Sequence, residues 1–375
     1  MATMNGQWLG DVRGDGTGQI IVNVDKRGDH YEGIAYLHDD DPEMPMVLVP
    51  FHTKDLNERF EIRSPVQSVH PTSGQVVDWN QLKSSYPSVG EFSSYADIIG
   101  SVSDESLILD WITDIGIKGH AELPRSEADK ASEIDAESRT WETFKAYVAE
   151  IGEHRRFLFR GQREPWRLRT SFHRAGRANL PRYVVEDIQD LRKHLSARTT
   201  HVFNLGDPDE NGAFHNLVQH HGYPTPLLDW SYSPYVAAFF AYREVSNREA
   251  DSAPDDSKVR IHILDRTKWI ADVPETLHLN SVRLFVSIGE FLAIENERMI
   301  PQQGASTVTN VDDIESFVRV AEQTNGASYL KAVDLPKRER RRVMQELSYM
   351  GITAGSLFPG LDGACQELKE RNFDL

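Results

Sequence analysis

Along residues 1 to about 125, short apolar-rich runs recur between polar turn segments. Gln19–Val24, Tyr31–Leu37, Val47–Phe51, Phe60–Val66 and Ser106–Ile112 are strand-like runs, and turn signals such as Arg27-Gly28-Asp29 separate them. Strands recurring about every ten residues between Gly-rich turns predict a small antiparallel barrel or sandwich. Gly10, Gly14, Gly16 and Gly18 are interleaved with charged residues, with no strand before and no helix after, so they are read as turn residues and not as a phosphate loop. Trp8, Trp79 and Trp111 are the expected core aromatics of this module.

The pattern breaks at the acidic stretch 126–138, which reads as a linker or a short exposed helix. Beyond it the period changes to that of a helix: Trp141, Phe144, Val148 and Ile151 share one face. A strand follows over Arg156–Arg160, with Gly161 letting the chain turn or approach a ligand closely. Helices are expected over Tyr183–Arg198, Phe214–His221 (capped by Gly222), and Tyr235–Arg243, where Ser233 is the N-cap and Pro234 the first helical residue. Val259–Leu264 and Phe291–Ile294 are strand candidates, and Glu339–Met350 is a helix ended by Gly351. The organisation is therefore α+β: a β-rich module over 1–125, an acidic linker over 126–138, and an α+β domain over 139–375.

Composition narrows the function classes. The chain has 375 residues, 39% apolar and 26% charged, and a formal net charge of −17. That charge opposes non-specific binding to nucleic acid. No apolar stretch approaches the roughly 20 residues that span a bilayer, and the start lacks the pattern of a signal peptide, so a cytoplasmic location without membrane contact is expected. The single cysteine, Cys365, excludes an internal disulfide framework and a Cys-rich zinc site, and is read as a packing residue. Against the acidic total, arginine is dense from Arg155 to Arg182 and in the run Lys337–Arg342, which is read as an exposed helix face.

Two segments carry the candidate chemistry: Phe159-Arg160-Gly161-Gln162, and Gln219 to Trp230 followed by Ser233 to Ala241. Arg160, at the end of an apolar run and before a glycine, suits a bidentate diphosphate contact or an ion pair at a strand end. Asp229, at the edge of an apolar patch beside Trp230, either makes local backbone hydrogen bonds or serves as an acid, base or ligand contact. His220 and His221 cannot be separated by sequence; one packs on its helix and the other faces a cleft, and neither has a metal partner at helical or turn spacing. Glu295 and Glu297, following Phe291–Ile294, would project to the same face of an extended chain, at a shared site or in solvent.

These segments resemble the FRG domain, a bacterial family named after its Phe-Arg-Gly motif, and the resemblance is read to the end of the chain. It implies an effector in bacterial conflict, such as anti-phage defence or a toxin. As an ordered set they also resemble mono-ADP-ribosyltransferases. Phe159-Arg160 would be the aromatic-Arg pair that grips NAD, Val236 to Ala241 the central helix, and Glu295-Asn296-Glu297 with Met299 to Gly304 the Glu-x-Glu strand and its loop. Asp229-Trp230-Ser231 departs from the Ser-Thr-Ser element of that superfamily and keeps only the last serine. The resemblance implies NAD as substrate and no metal. Arg160, Gly161, Gln162, His220 and Gln303 would line its site, with Trp230 or Phe159 stacking on a ring. Ser231 would order the strand, Glu297 would stabilise the ribosyl cation, and Glu295 would orient a protein or nucleic-acid acceptor. Two alternatives remain at this level: a non-catalytic module for a nucleotide or phosphorylated ligand, and a nucleic-acid-directed enzyme or binder. The β module would receive a partner or trigger.

Overall fold

The computed structural model describes residues 2–71, 73–152 and 155–373. The first part is one antiparallel sheet of ten strands: β1 Gly6–Gly14, β2 Gly18–Arg27, β3 His30–Asp39, β4 Val47–His52, β5 Arg59–Pro65, β6 Gln67–Val69, β7 Val76–Val77, β8 Tyr95–Val102, β9 Ser106–Thr113 and β10 Lys118–Pro124. Their order is β5-β8-β9-β10-β1-β2-β3-β4-β6-β7, and the sheet curls until β5 comes alongside β4. The alternating pattern selects this arrangement because one face of each strand buries apolar side chains, among them Trp8, Val22, Val24, Tyr31, Leu107 and Leu123. The expected barrel-type module is present, with strands that the sequence reading missed at β1, β6, β7, β8 and β10.

Of the three expected core tryptophans only Trp8 is fully buried. Trp111 is half-buried inside the curl, and Trp79 stacks on Phe92 outside it, with ring centroids 4.7 Å apart. Gly10 lies within β1, Gly14 ends that strand, Gly18 begins β2, and Gly16 stands in the turn between them.

The second part is a seven-stranded mixed sheet: β11 Ala136–Ser138, β12 Phe157–Gln162, β13 Leu227–Ser231, β14 Lys258–Asp265, β15 Val286–Gly289, β16 Gly304–Thr309 and β17 Leu330–Pro336. The order is β11-β17-β14-β12-β13-β16-β15, with only β11 and β17 parallel. Helices Trp141–Glu150, Pro234–Tyr242 and Arg340–Tyr349 cover one face around Phe159, Ile261 and Leu335. Helices Arg266–Asp272 and Ile314–Asn325 cover the other, around Leu158, Trp230 and Leu330.

The stretch 126–138 is not a free linker. Ala136–Ser138 pairs with β17, while Glu127, Asp129 and Glu133 form ion pairs with Arg167 and Arg169. Phe291–Ile294 is not a strand: the edge strand ends at Gly289, and the ring of Phe291 occupies the space where side chains at Gly212 and Gly289 would stand. Cys365 is exposed on the C-terminal helix.

Gly161 is required for a reason other than a turn or ligand approach. It lies inside β12, and a Cβ there would overlap the carbonyl oxygen of Ala237 and come within 2.7 Å of Ala241 N. The absent side chain lets the Pro234–Tyr242 helix seat directly on the strand. Gly161→Ala is therefore expected to lower the unfolding free energy by about 1–3 kcal/mol, as overpacking against fixed backbone does. Chemical denaturation checks this, and an unchanged midpoint would contradict it.

The two parts meet through buried polar contacts. Asp25, at the end of β2 and fully buried, accepts hydrogen bonds from Arg177 Nε, from Ala178 N at 2.8 Å and from Asn179 N at 3.2 Å. Gln7 of β1 donates to Asn310 O at 2.7 Å and accepts from Asp312 N at 3.0 Å. The β module thereby grips residues 177–179, inside the arginine-rich stretch, and residues 310–312, which follow β16.

Candidate functional site

The mixed sheet splits at its centre. β12 pairs with β14 over six residues but with β13 only at Phe159 and Ser231. Where the ladder stops, backbone groups lose their partners and must find others. Arg160 supplies one: its Nη1 donates to the carbonyl oxygen of Asp229 at 2.7 Å, across the opening. Beyond it lies a cleft of about 690 Å³, within the size range of small-molecule sites.

Eight cationic and three acidic side chains line this cleft. Arg163 pairs with Glu249, Arg167 with Asp313, Glu127 and Glu133, and Arg169 with Asp312 and Asp129. Those three are structural cations whose charge is met. Arg160, Arg174, Arg243 and Arg298 are different: among the described residues none has a carboxylate within ion-pair distance. Arg160 and Arg298 donate to backbone carbonyls, of Asp229 and His220 respectively. Arg174 donates to the carbonyl of Arg169. Arg243 lies 4.5 Å above the Phe358 ring centroid.

The crowding has an electrostatic signature. Burial lowers the Arg160 guanidinium to about 10, so it remains protonated at neutral pH. Burial also lowers Arg174, with Arg169 adding repulsion and Asp229 opposing it, and lowers Arg243, where Glu244 and Glu370 offset part of the effect and Arg298 adds to it. A cluster whose members destabilise one another's charge is one that an entering anion would relieve.

Asp229 is the acidic group set against these cations. Its carboxylate accepts from Gln219 Nε2, and Gln219 in turn accepts from the Thr225 hydroxyl, which orients the amide. The Pro208–His220 helix carries both Gln219 and His220 to the cleft wall, started by Asp207, whose carboxylate accepts from the first-turn amides. His220 Nδ1 is 2.7 Å from Asn296 Oδ1, and Asn296 continues to Asn216 and Ser306. His221 is exposed beside Gly222, so the structure separates the two histidines.

The remaining sequence candidates divide. Gln162 lines the cleft but is buried against His262, at 3.1 Å from Nε2. His262 is itself lowered to about 3 by burial, with Arg260 and Arg160 adding to the effect. Ser231 donates to the carbonyl of Gln302 at 2.7 Å, so it staples the 298–303 turns to β13 and does not contact Glu297. Trp230 points into the core and donates to Thr307 Oγ1 at 3.2 Å, and Phe159 is core as well. Both also form part of the cleft lining.

Glu295 and Glu297 are exposed in turns and do not line the cleft. Glu295, with φ of 54°, is turned toward Thr200 and His201, whose hydroxyl and amide hold its carboxyl below the usual range. Gln303 is exposed, and its neighbour Gln302 faces the cleft instead, donating to Leu357 O at 2.9 Å. Sequence reasoning missed Arg174, Arg243 and Arg298, and the aromatic rim of Trp166, Phe240 and Phe358. The arginine density around the Phe-Arg-Gly motif was the available signal for the first of these.

With this geometry in place, comparison with known proteins identifies a domain within the chain. The FRG domain profile matches residues 155–250. The chain carries an FRG domain. The matched span contains Arg160, Arg174, Asp229 and Arg243, and stops short of the chain end to which the resemblance was read. Arg298 and Phe358 complete the cleft from outside it. No curated protein matches the chain. Among solved structures, a redesigned β-barrel, mFAP1, bound to DFHBI is similar at 13% identity, covering 32% of this chain and 94% of that one, with a TM-score of 0.23. A second redesigned barrel, b11L5F_LGL, is similar at 14% identity, covering 33% and 92%, with a TM-score of 0.22. Among the described residues no group of three or more His, Cys, Asp or Glu side chains could hold a metal ion, and no helix is long and apolar enough to cross a membrane.

Proposed function

We propose that the cleft of the FRG domain binds a nucleotide diphosphate of the NAD and ADP-ribose class. The observation that carries this reading is the set of four arginines with no carboxylate within ion-pair distance among the described residues, Arg160, Arg174, Arg243 and Arg298, gathered in a chain whose net charge is −17. Guanidinium groups meet phosphate oxygens through paired N–H donors, and a diphosphate offers enough oxygens to engage several at once. Phe240, Phe358 and Trp166 offer ring faces at the rim for a base. The test is calorimetric titration of the full chain with ADP-ribose. A single saturable site whose affinity falls as salt is raised is the expected result. No binding at low salt would overturn the proposal.

Turnover of NAD is a second reading, favoured by one observation: Asp229, a half-buried carboxylate oriented by Gln219, lies at the foot of the arginine cluster. Breaking the ribosyl C–N bond sends its electron pair to nicotinamide, and the carboxylate would stabilise the cationic ribose left behind. Water or an acceptor nucleophile then forms the new bond and loses a proton. Mass spectrometry of NAD incubated with the protein separates the two readings. An enzyme releases nicotinamide, loses that activity in Asp229→Asn and keeps it in Glu297→Gln, because Glu297 stands outside the cleft. A binding module leaves NAD intact in every case.

A further inference from the structure

The β module encloses a second cavity, of about 190 Å³, with no connection to the arginine cleft in its lining. A barrel of about this size either fills its interior with side chains or leaves room for one small ligand. Here it is left unfilled, for two reasons written in the sequence. Small residues, Ala35 on β3 and Ala96 on β8, stand at inward positions. Three of the four large rings in its lining are laid against its wall. Phe51 occupies the place of a side chain at Gly33, Phe60 that at Gly100, and Trp111 that at Gly119. Each aromatic thus covers a glycine on the neighbouring strand and leaves the centre open.

The lining is hydrocarbon through most of its depth, including Val12, Leu37, Val47, Ile62 and Ile98, all of them only half-buried. Charged groups are confined to one end, where Asp39, Glu91 and Lys118 stand at the mouth made by the β1–β2 and β9–β10 turns and the β3–β4 loop. The opposite end of β2 carries Asp25 and faces the FRG domain. An apolar void of about 150 Å³ stays dry and takes up benzene, so this one is large enough for one or two fused rings.

We propose that the interior of the β module is a binding site for a small, uncharged, predominantly apolar molecule of one or two fused rings, entering at the Lys118 end. Fluorescence titration of the full chain with 1-aminonaphthalene tests it. The expected result is saturable one-to-one binding with a blue shift, undisturbed by saturating ADP-ribose. Two cavity-filling variants, Ala96→Leu and Val47→Phe, are each expected to weaken binding by about tenfold or more, with the melting temperature held or raised. No saturable binding by the folded protein, wild-type affinity in whichever variant folds, or displacement of the probe by ADP-ribose would overturn it.

Discussion

Arg160→Ala is expected to weaken ADP-ribose binding by about ten- to a hundredfold while the chain stays folded. Hydrogen bonds to charged groups contribute about 1.5–3 kcal/mol each, and about 1.4 kcal/mol is tenfold in affinity. Arg160 stands at the split between β12 and β13, where one arm of its guanidinium already holds Asp229 O. Its Nε is buried without a partner among the described residues. That group is pre-positioned, so little side-chain freedom remains to be lost on binding. Arg160→Lys keeps the charge but loses the fork, and an intermediate affinity is expected. Titration calorimetry of both variants checks this. Affinity equal to wild type in Arg160→Ala would mean that the ligand sits elsewhere.

Asp25→Ala is expected to be the most destabilising change at the junction of the two parts, by about 3 kcal/mol. It would leave two buried backbone amides, of Ala178 and Asn179, without their acceptor, and Arg177 with Asp187 as its remaining carboxylate. The damage would also reach the cleft, because Arg177 follows directly on the Ser171–Arg174 helix that presents Arg174. Weaker ADP-ribose binding should accompany the lower stability. Unfolding followed by calorimetry measures the first effect. Wild-type stability in the variant would show that this contact does not hold the two parts together.

Much of the fold was legible. Strand-like runs between turn signals located five strands of the β module, the helical spacing of Trp141, Phe144, Val148 and Ile151 located the Trp141–Glu150 helix, and Ser233 with Pro234 marked the start of the Pro234–Tyr242 helix. What misled was an apolar run that is not a strand. Phe291–Ile294 reads as one, yet Phe291 serves to fill the space over two glycines, Gly212 and Gly289, that are distant in sequence. The Glu-x-Glu that follows was therefore placed in a site it does not reach. The reading of Gly161 failed for a related reason: its requirement comes from a helix some 76 residues downstream, Ala237 being the obstacle.

The site was half-legible. Arg160, Asp229, Gln162 and His220 were named from their motifs and do line one cleft. Which arginines are available was beyond the sequence, because availability is a matter of absent partners. Arg167 and Arg169 look the same as Arg174 in the chain, but Asp312, Asp313 and the acidic stretch 126–138 reach only the first two. Arg243 and Arg298 come from separate elements and meet only through the topology of the sheet.

The most direct measurement is a crystal structure of the full chain grown with saturating ADP-ribose. The account predicts density for the diphosphate between Arg160 and Arg174, with Arg243 and Arg298 on the facing wall. An empty cleft in crystals that hold the ligand elsewhere would contradict it.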